Sequence, residues 1–259
     1  MKAAQKILWE KIREEARHYA ASEPILASFF HSTILNHNSL KAALSYQLAN
    51  RLDNHTMPGI LLREVIDEAF EQSPEIVNAA MADILAVQDR DPAVEDYSTP
   101  LLYLKGFQAI QIHRVANWLW KNNRIPLALY LQNRSSELFA VDVHPAATIG
   151  KGIMFDHATG VVIGETAVID DNVSLLQGVT LGGTGKTGGD RHPKIRQGVM
   201  IGAGAKVLGN IEIGVGAKVG AGSVVLEAVS AHTTVAGVPA KVVGVPSCKM
   251  PSLSMEQNL

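Results

Sequence analysis

The sequence predicts an α+β chain in which an all-helical N-terminal part is followed by a parallel β-helix of hexapeptide turns. Three observations carry that expectation. From Ile195 an aliphatic residue returns every six positions, at Ile195, Ile201, Val207, Ile213, Val219 and Val225. A period of six suits neither a helix nor an ordinary strand and marks a β-helical solenoid. Ile, Leu and Val make up 68 of 259 residues, so six hits in one register would arise by chance with a probability of roughly 3 in 10,000 before the choice of register. Glycine is divided unevenly: residues 1–140 hold only Gly59 and Gly106, and residues 141–259 hold the other 20. Finally, the first half spaces its apolar residues by three and four, as in Leu8, Ile12, Ala16 and Tyr19, with few β-branched runs.

The helical pattern stops near Val141. The expected units are therefore a helical domain over 1–140, a β-helix over 141–245 and a flexible Pro- and Ser-rich tail over 246–259. In the first, Ser73-Pro74 and Thr99-Pro100 each place a capping hydroxyl before a proline, whose missing N–H costs nothing in a first helical turn. The Leu-, Ile- and Trp-rich segment from Thr99 to Asn122 should be a largely buried helix, and Trp9, Trp118 and Trp120 read as packing residues. In the second, the aliphatic register extends upstream through Ile163, Ile169, Leu175 and Leu181. Small or β-branched residues stand four places on, at Ala167, Val173, Val179, Ala205, Ile211, Ala217 and Ser223. Two inward residues per hexad make a core. Glycines such as Gly164, Gly202, Gly214 and Gly220, directly after the aliphatic position, suit tight corners.

Composition narrows the function. A net charge of −2 with interspersed signs gives no basic face for nucleic acid or anionic lipid. No 18-residue apolar run and no export signal stand in the chain, so a soluble, cytoplasmic protein is expected. The single cysteine, Cys248, excludes an internal disulfide and a CxxC metal site.

Chemistry is sought where the hexad rule breaks. The first break separates Ile149 from Ile163, 14 residues where 12 would keep register, and holds Asp156-His157 with Asp142 and His144 upstream. Adjacent residues on a strand face opposite ways, so Asp156 is not expected to serve His157. Asp142, about one coil earlier, is the candidate carboxylate. A lone histidine is as often a structural, hydrogen-bonded residue. The second break lies between Leu181 and Ile195, where five glycines in 13 residues mark an excursion from the solenoid. Its Gly-Thr-Gly-Lys-Thr imitates a phosphate loop but fails, because Thr180 stands where the first glycine is required and no helix can follow Gly188-Gly189. Arg191-His192, held by Pro193, offers polar heads at the end of the loop, and an arginine there suits a carboxylate.

Together, Asp91-Pro92-Ala93, Ser98 through Gly106, Asp156-His157-Ala158-Thr159-Gly160, Gly164-Glu165-Thr166-Ala167, the loop from Gly182 to Pro193 and Ala236-Gly237-Val238-Pro239-Ala240 closely resemble the serine O-acetyltransferase family, most densely from Asp89 to Val245. The resemblance implies that the β-helix is left-handed, against the usual preference of parallel crossovers, and that the Gly-rich loop is extruded from it. It also implies acetyl transfer from the co-substrate acetyl-CoA to the hydroxyl of L-serine, giving O-acetylserine for cysteine biosynthesis, without a metal.

On that reading His157 is the general base that a serine hydroxyl requires, and Asp142 fixes its tautomer. Asp91 and Asp156 face the substrate ammonium, and Arg191 and His192 its carboxylate, with an acid–base role for His192 left open. Gly183, Thr184, Ala203 and Ala221 line the CoA groove, whose backbone N–H groups polarise the thioester, and Lys218 and Lys241 lie near its phosphates. With no enzyme nucleophile placed to take the acetyl group, direct attack in a ternary complex is expected. The resemblance further implies a trimer, with sites between neighbouring β-helices, paired into a hexamer. Inhibition by L-cysteine and docking of the C-terminal tail, here ending in Leu259, into O-acetylserine sulfhydrylase are implied as well. Three rivals remain: a hexapeptide acyltransferase for a sugar or another amine, a zinc carbonic anhydrase using His144, His157, His192 and His232, and a non-catalytic scaffold.

Overall fold

The computed structural model describes residues 2–185 and 188–258, so Met1, Lys186, Thr187 and Leu259 lie outside the described residues. The N-terminal part is helical: α1 (Lys2–Ser22), α2 (Ala27–Phe30), α3 (Leu40–Leu52), α4 (Gly59–Gln72), α5 (Glu75–Arg90), α6 (Ser98–Tyr103), α7 (Lys105–Lys121) and α8 (Ile125–Phe139). The stripe Leu8, Ile12 and Ala16 on α1 is buried, as its spacing predicts, and Trp9 and Trp118 pack in the same core.

Two local expectations are corrected. The segment after Thr99 is two helices, because Leu104 adopts an extended ψ of 108° that breaks the run between α6 and α7. That break lets Gly106 press on the β-helix, where a Cβ would stand 2.1 Å from the Phe155 carbonyl oxygen. Nor do the serine and threonine hydroxyls cap. Neither α5 nor α6 has a side-chain cap from its own N-cap residue. For α6 the orphan donors go instead to Glu15 on α1, whose carboxylate accepts from Tyr97 N at 3.1 Å and Ser98 N at 2.8 Å.

The second part winds three short strands per turn. The first coil is β1 (Val141–Val143), β2 (Thr148–Ile149) and β3 (Met154–Phe155). The second is β4 (Val161–Ile163), β5 (Val168–Ile169) and β6 (Ser174–Leu175), and the third β7 (Thr180–Gly182), β8 (Lys194–Ile195) and β9 (Met200–Ile201). The fourth is β10 (Lys206–Leu208), β11 (Glu212–Ile213) and β12 (Lys218–Val219). A fifth runs through β13 (Val224–Val225) and β14 (Thr234–Gly237), before β15 (Ala240–Gly244) turns back antiparallel. Equivalent strands stack as three parallel faces: β1-β4-β7-β10-β13, β2-β5-β8-β11 and β3-β6-β9-β12-β14.

The hexad aliphatics form the interior columns. Ile163 pairs with Leu181, Leu181 with Val207 and Val207 with Val225, each 2% exposed or less. Burial of such a side chain contributes about 1.5–3 kcal/mol. The break at 182–193 leaves the stacking intact, because Thr180 on β7 still pairs with Val162 before it and Lys206 after it. The corner glycines Gly160, Gly178, Gly204 and Gly222 all have φ between 68° and 78°, and a Cβ on Gly178 would meet Gly204 at 3.4 Å.

A buried ion pair joins the two parts. Asp83 on α5, 0% exposed, accepts from Arg114 Nη2 at 2.7 Å, Gln111 Nε2 at 2.9 Å and Ile153 N of the first coil at 2.9 Å. Arg114 on α7 donates onward to the Ile149 carbonyl at 3.2 Å.

Residues 251–254 of the tail form a short helix against the solenoid. Short α9 (Pro251–Ser254) docks on the third face, with Ser252 Oγ donating to the Asn172 carbonyl and Ser174 Oγ donating to the Ser252 carbonyl at 2.9 Å. Cys248 lies here, its Sγ 3.3 Å from Ser254 Oγ. Among the described residues, no helix is long and apolar enough to cross a membrane.

Candidate active site

Most of the predicted site residues gather at the two edges of the first face; Asp142, Lys218 and Lys241 stand on strands away from them. One edge is the corner where the third face turns into the first. Here Asp156 and His157 follow β3, Ala203 follows β9 and Ala221 follows β12. Ala203 and Ala221 are one coil apart, with the Ala203 carbonyl accepting from Gly222 N at 2.7 Å. Asp91, at the C-terminal end of α5, joins this edge, and its own Oδ1 accepts from Ala93 N at 2.9 Å. Burial raises the Asp156 carboxyl above its ordinary value, with the nearby charge of Asp91 adding to the rise and His157 opposing it.

His157 sits in a turn. Its φ is 54°, and that of Ala158 is 62°, so the alternation expected of a strand does not apply. Its Nε2 lies 3.8 Å from Asp156 Oδ1, and the side chain is 76% exposed. Asp142 takes a different partner from the one its spacing suggests: Oδ1 accepts from Gln132 Nε2 on α8 at 2.7 Å. Asp142 stands on β1 between the buried Val141 and Val143, so its side chain belongs to the outer side of the first face.

The other edge is the corner where the first face turns into the second. It carries His144 after β1, Glu165 and Thr166 after β4, and the loop from Gly183 to His192 after β7. His144 packs edge-on against Trp120, and burial lowers its pKa. Arg191 is gripped by a residue that the sequence pattern did not single out, Glu165, at 2.6 Å from Nη2. That hydrogen bond holds the Glu165 carboxyl below its usual value.

His192 is 6% exposed. Its ring lies against Gly164, where a Cβ would stand 2.0 Å from Cδ2 and Nε2, and beside Gly183, whose Cβ would be 3.6 Å from Nε2. Thr184 is exposed on the loop, its methyl near Gly209 of the next coil.

Two lysines behave differently from one another. Lys241 is exposed on β15, whereas Lys218 is 4% exposed and donates to the Asn258 carbonyl of the tail, so its ammonium is not presented to solvent. The reason is the docking of the tail, which composition could not forecast. Among the described residues, no group of three or more His, Cys, Asp or Glu is placed to hold a metal ion.

A hexapeptide solenoid with acidic and histidine-bearing groups on one edge, and an arginine–histidine pair on the next, defines a hexapeptide-repeat transferase. Residues 192–227 match that repeat, described as bacterial transferase hexapeptide (six repeats). Residues 8–112 match the serine acetyltransferase N-terminal region. The chain is 62% identical over 252 residues to serine acetyltransferase of Escherichia coli strain K12, covering 97% of this chain and 92% of that protein. Its fold superposes on the crystal structure of serine acetyltransferase from Vibrio cholerae with a TM-score of 0.97 at 64% identity, covering 98% of each chain. A serine acetyltransferase in complex with cysteine gives 0.97 at 61% identity, covering 98% of this chain and 99% of that one. One from Brucella abortus in complex with coenzyme A gives 0.92 at 54%, with 93% and 96% covered. The chain belongs to the serine acetyltransferase family.

Proposed function

We propose that this chain transfers the acetyl group of acetyl-CoA to the hydroxyl of L-serine, releasing CoA and O-acetyl-L-serine for cysteine biosynthesis. The observation that carries the reading is the division of charge between the two edges of the first face: carboxylates Asp91 and Asp156 on one, Arg191 and His192 on the other. A zwitterionic amino acid needs anions at its ammonium and donors at its carboxylate.

On one chain the two half-sites stand on opposite corners of the same face. A complete site therefore forms where the acidic edge of one copy meets the basic edge of another, which a ring of three copies provides. The CoA groove divides in the same way, Gly183 and Thr184 on one edge and Ala203 and Ala221 on the other. Pairing of two trimers through the helical domains completes the proposed hexamer.

Within that cleft His157 removes the hydroxyl proton as the serine oxygen attacks the thioester carbonyl. The exposed ring, on a backbone that turns it outward, supports this role. Asp156 is engaged with the ammonium. The orienting carboxylate is therefore Asp142, which Gln132 holds on the face that the second copy meets. The oxyanion of the tetrahedral intermediate takes hydrogen bonds from corner N–H groups, and collapse expels CoA thiolate. Acetyl transfer is direct, since the lone cysteine lies in the tail. Lys241 stands free for a CoA phosphate; Lys218 reaches one only after the tail end moves aside.

L-cysteine, which differs from serine by one atom, fits the same pocket as an inhibitor, as the cysteine complex of a relative supports. A sulfhydrylase partner would engage the C-terminal end. The cytoplasm, where acetyl-CoA is made, is the proposed location. The test is thiol release from acetyl-CoA with and without L-serine, for the native chain and for His157→Ala. The native rate should depend on serine, and the variant should fall by about 10²–10⁴-fold, the usual contribution of a general base. Unchanged transfer by the variant, or equal turnover with a sugar acceptor, overturns the assignment.

A further inference from the structure

Resting on the serine reading above, we infer that Thr166 is a positioning residue that locks His192 as a neutral ring with its proton on Nε2, making it a hydrogen-bond donor to substrate and not an acid–base group. The backbone settles the tautomer. Thr166 N–H donates to His192 Nδ1 at 3.2 Å, so Nδ1 carries a lone pair, and the Thr166 hydroxyl reaches the same atom at 2.9 Å. A backbone amide cannot reverse its role, so the proton of the neutral ring sits on Nε2.

The same hydroxyl oxygen accepts from Arg191 N at 3.0 Å and His192 N at 3.1 Å. One side chain thus seats both residues of the proposed carboxylate clamp. Nε2 lies at the corner formed by Gly164 and Gly183, on the side of the ring away from the Nδ1 that Thr166 engages.

The charges around the ring agree. Burial acts first to keep it neutral, with Arg191 and then Lys194 and His144 in the same sense, while Glu165 opposes them. Asp190 is held below its usual value chiefly by Lys194, at 2.6 Å, with hydrogen bonds from Thr166 and Asn210 contributing less.

The test joins a structural readout with kinetics. In the native chain labelled with ¹⁵N-histidine, His192 should show an unprotonated Nδ1 and a protonated Nε2 at neutral pH. An Nδ1–H tautomer, or a charged ring, overturns the inference whether or not the enzyme acetylates serine. Thr166→Val should raise the KM for L-serine about tenfold or more, the loss of one to two hydrogen bonds, and leave kcat within a few-fold. Thr166→Ser should restore it. A native KM in Thr166→Val, or a fall confined to kcat, overturns the positioning role. Absence of serine-dependent CoA release in the native chain would instead sink the underlying activity and leave the tautomer result standing.

Discussion

Replacing Gly164 by alanine should remove His192 from the site while sparing the solenoid. The backbone tolerates the change, since Gly164 is not among the positive-φ glycines. Space does not: the new methyl would lie 2.0 Å from two atoms of the His192 imidazole, far inside contact distance. Thr166 holds that ring from its other side, so it has to swing out of the corner. The expected loss is that of a hydrogen bond to a charged carboxylate, about 1.5–3 kcal/mol, which corresponds to about 10- to 150-fold in kcat/KM for serine at 1.36 kcal/mol per decade. KM for acetyl-CoA should change less. A double-mutant cycle separates this mechanism from general damage. If the methyl acts only by evicting His192, then Gly164→Ala in a His192→Ala background should cost almost nothing more. Additive losses, or a native kcat/KM in the single variant, would refute the reasoning.

The joint between the two parts offers a stability test. Asp83→Ala leaves the buried Arg114 guanidinium and the Ile153 N–H without their acceptor, so urea unfolding should show a loss of about 3–5 kcal/mol; a loss under 1 kcal/mol would mean that the ion pair does not brace the joint. Asp156→Asn should behave in the opposite sense. Because the native carboxyl is raised above 3.8, its ionised form favours the unfolded state; the penalty is absent below the unfolded pKa and develops as pH rises through the native one. The variant should therefore melt higher than the native chain at neutral pH, lose that advantage on acidification to about pH 3, and bind serine poorly. A lower melting temperature at neutral pH contradicts this sign.

The solenoid was legible because a column of inward side chains imposes one residue type at fixed intervals, and Ile195 through Val225 obey it in sequence as in space. His157 and the Arg191-His192 pair were legible for the complementary reason, since they stand where the pattern is interrupted. What escaped depends on distant partners. Glu15 caps a helix more than eighty residues away, and the cap of α6 cannot be seen from Ser98 and Thr99. Glu165 and Thr166 stand inside the regular hexad from Ile163 to Ile169, so spacing does not mark them as the supports of residues 25 to 26 positions further on, although their segment is part of the family resemblance. The hold of Gln132 on Asp142 likewise comes from α8 and not from the coil, so spacing along the solenoid does not reveal it. The contact of the tail with the third face rests on Ser252, whose partners Asn172 and Ser174 stand about eighty residues earlier and leave no local sign.

The corner between β7 and β8 shows how such a scaffold acquires chemistry. Val162 to Thr180 is 18 residues, Thr180 to Lys206 is 26, and Lys206 to Val224 is 18 again, so the chain leaves, spends eight extra residues outside, and re-enters in phase. A solenoid whose rungs are specified separately from its bends can lengthen one bend without renegotiating any rung. Acceptor preference can then diversify by exchanging a single bend, while the stack beneath keeps folding by the same rule.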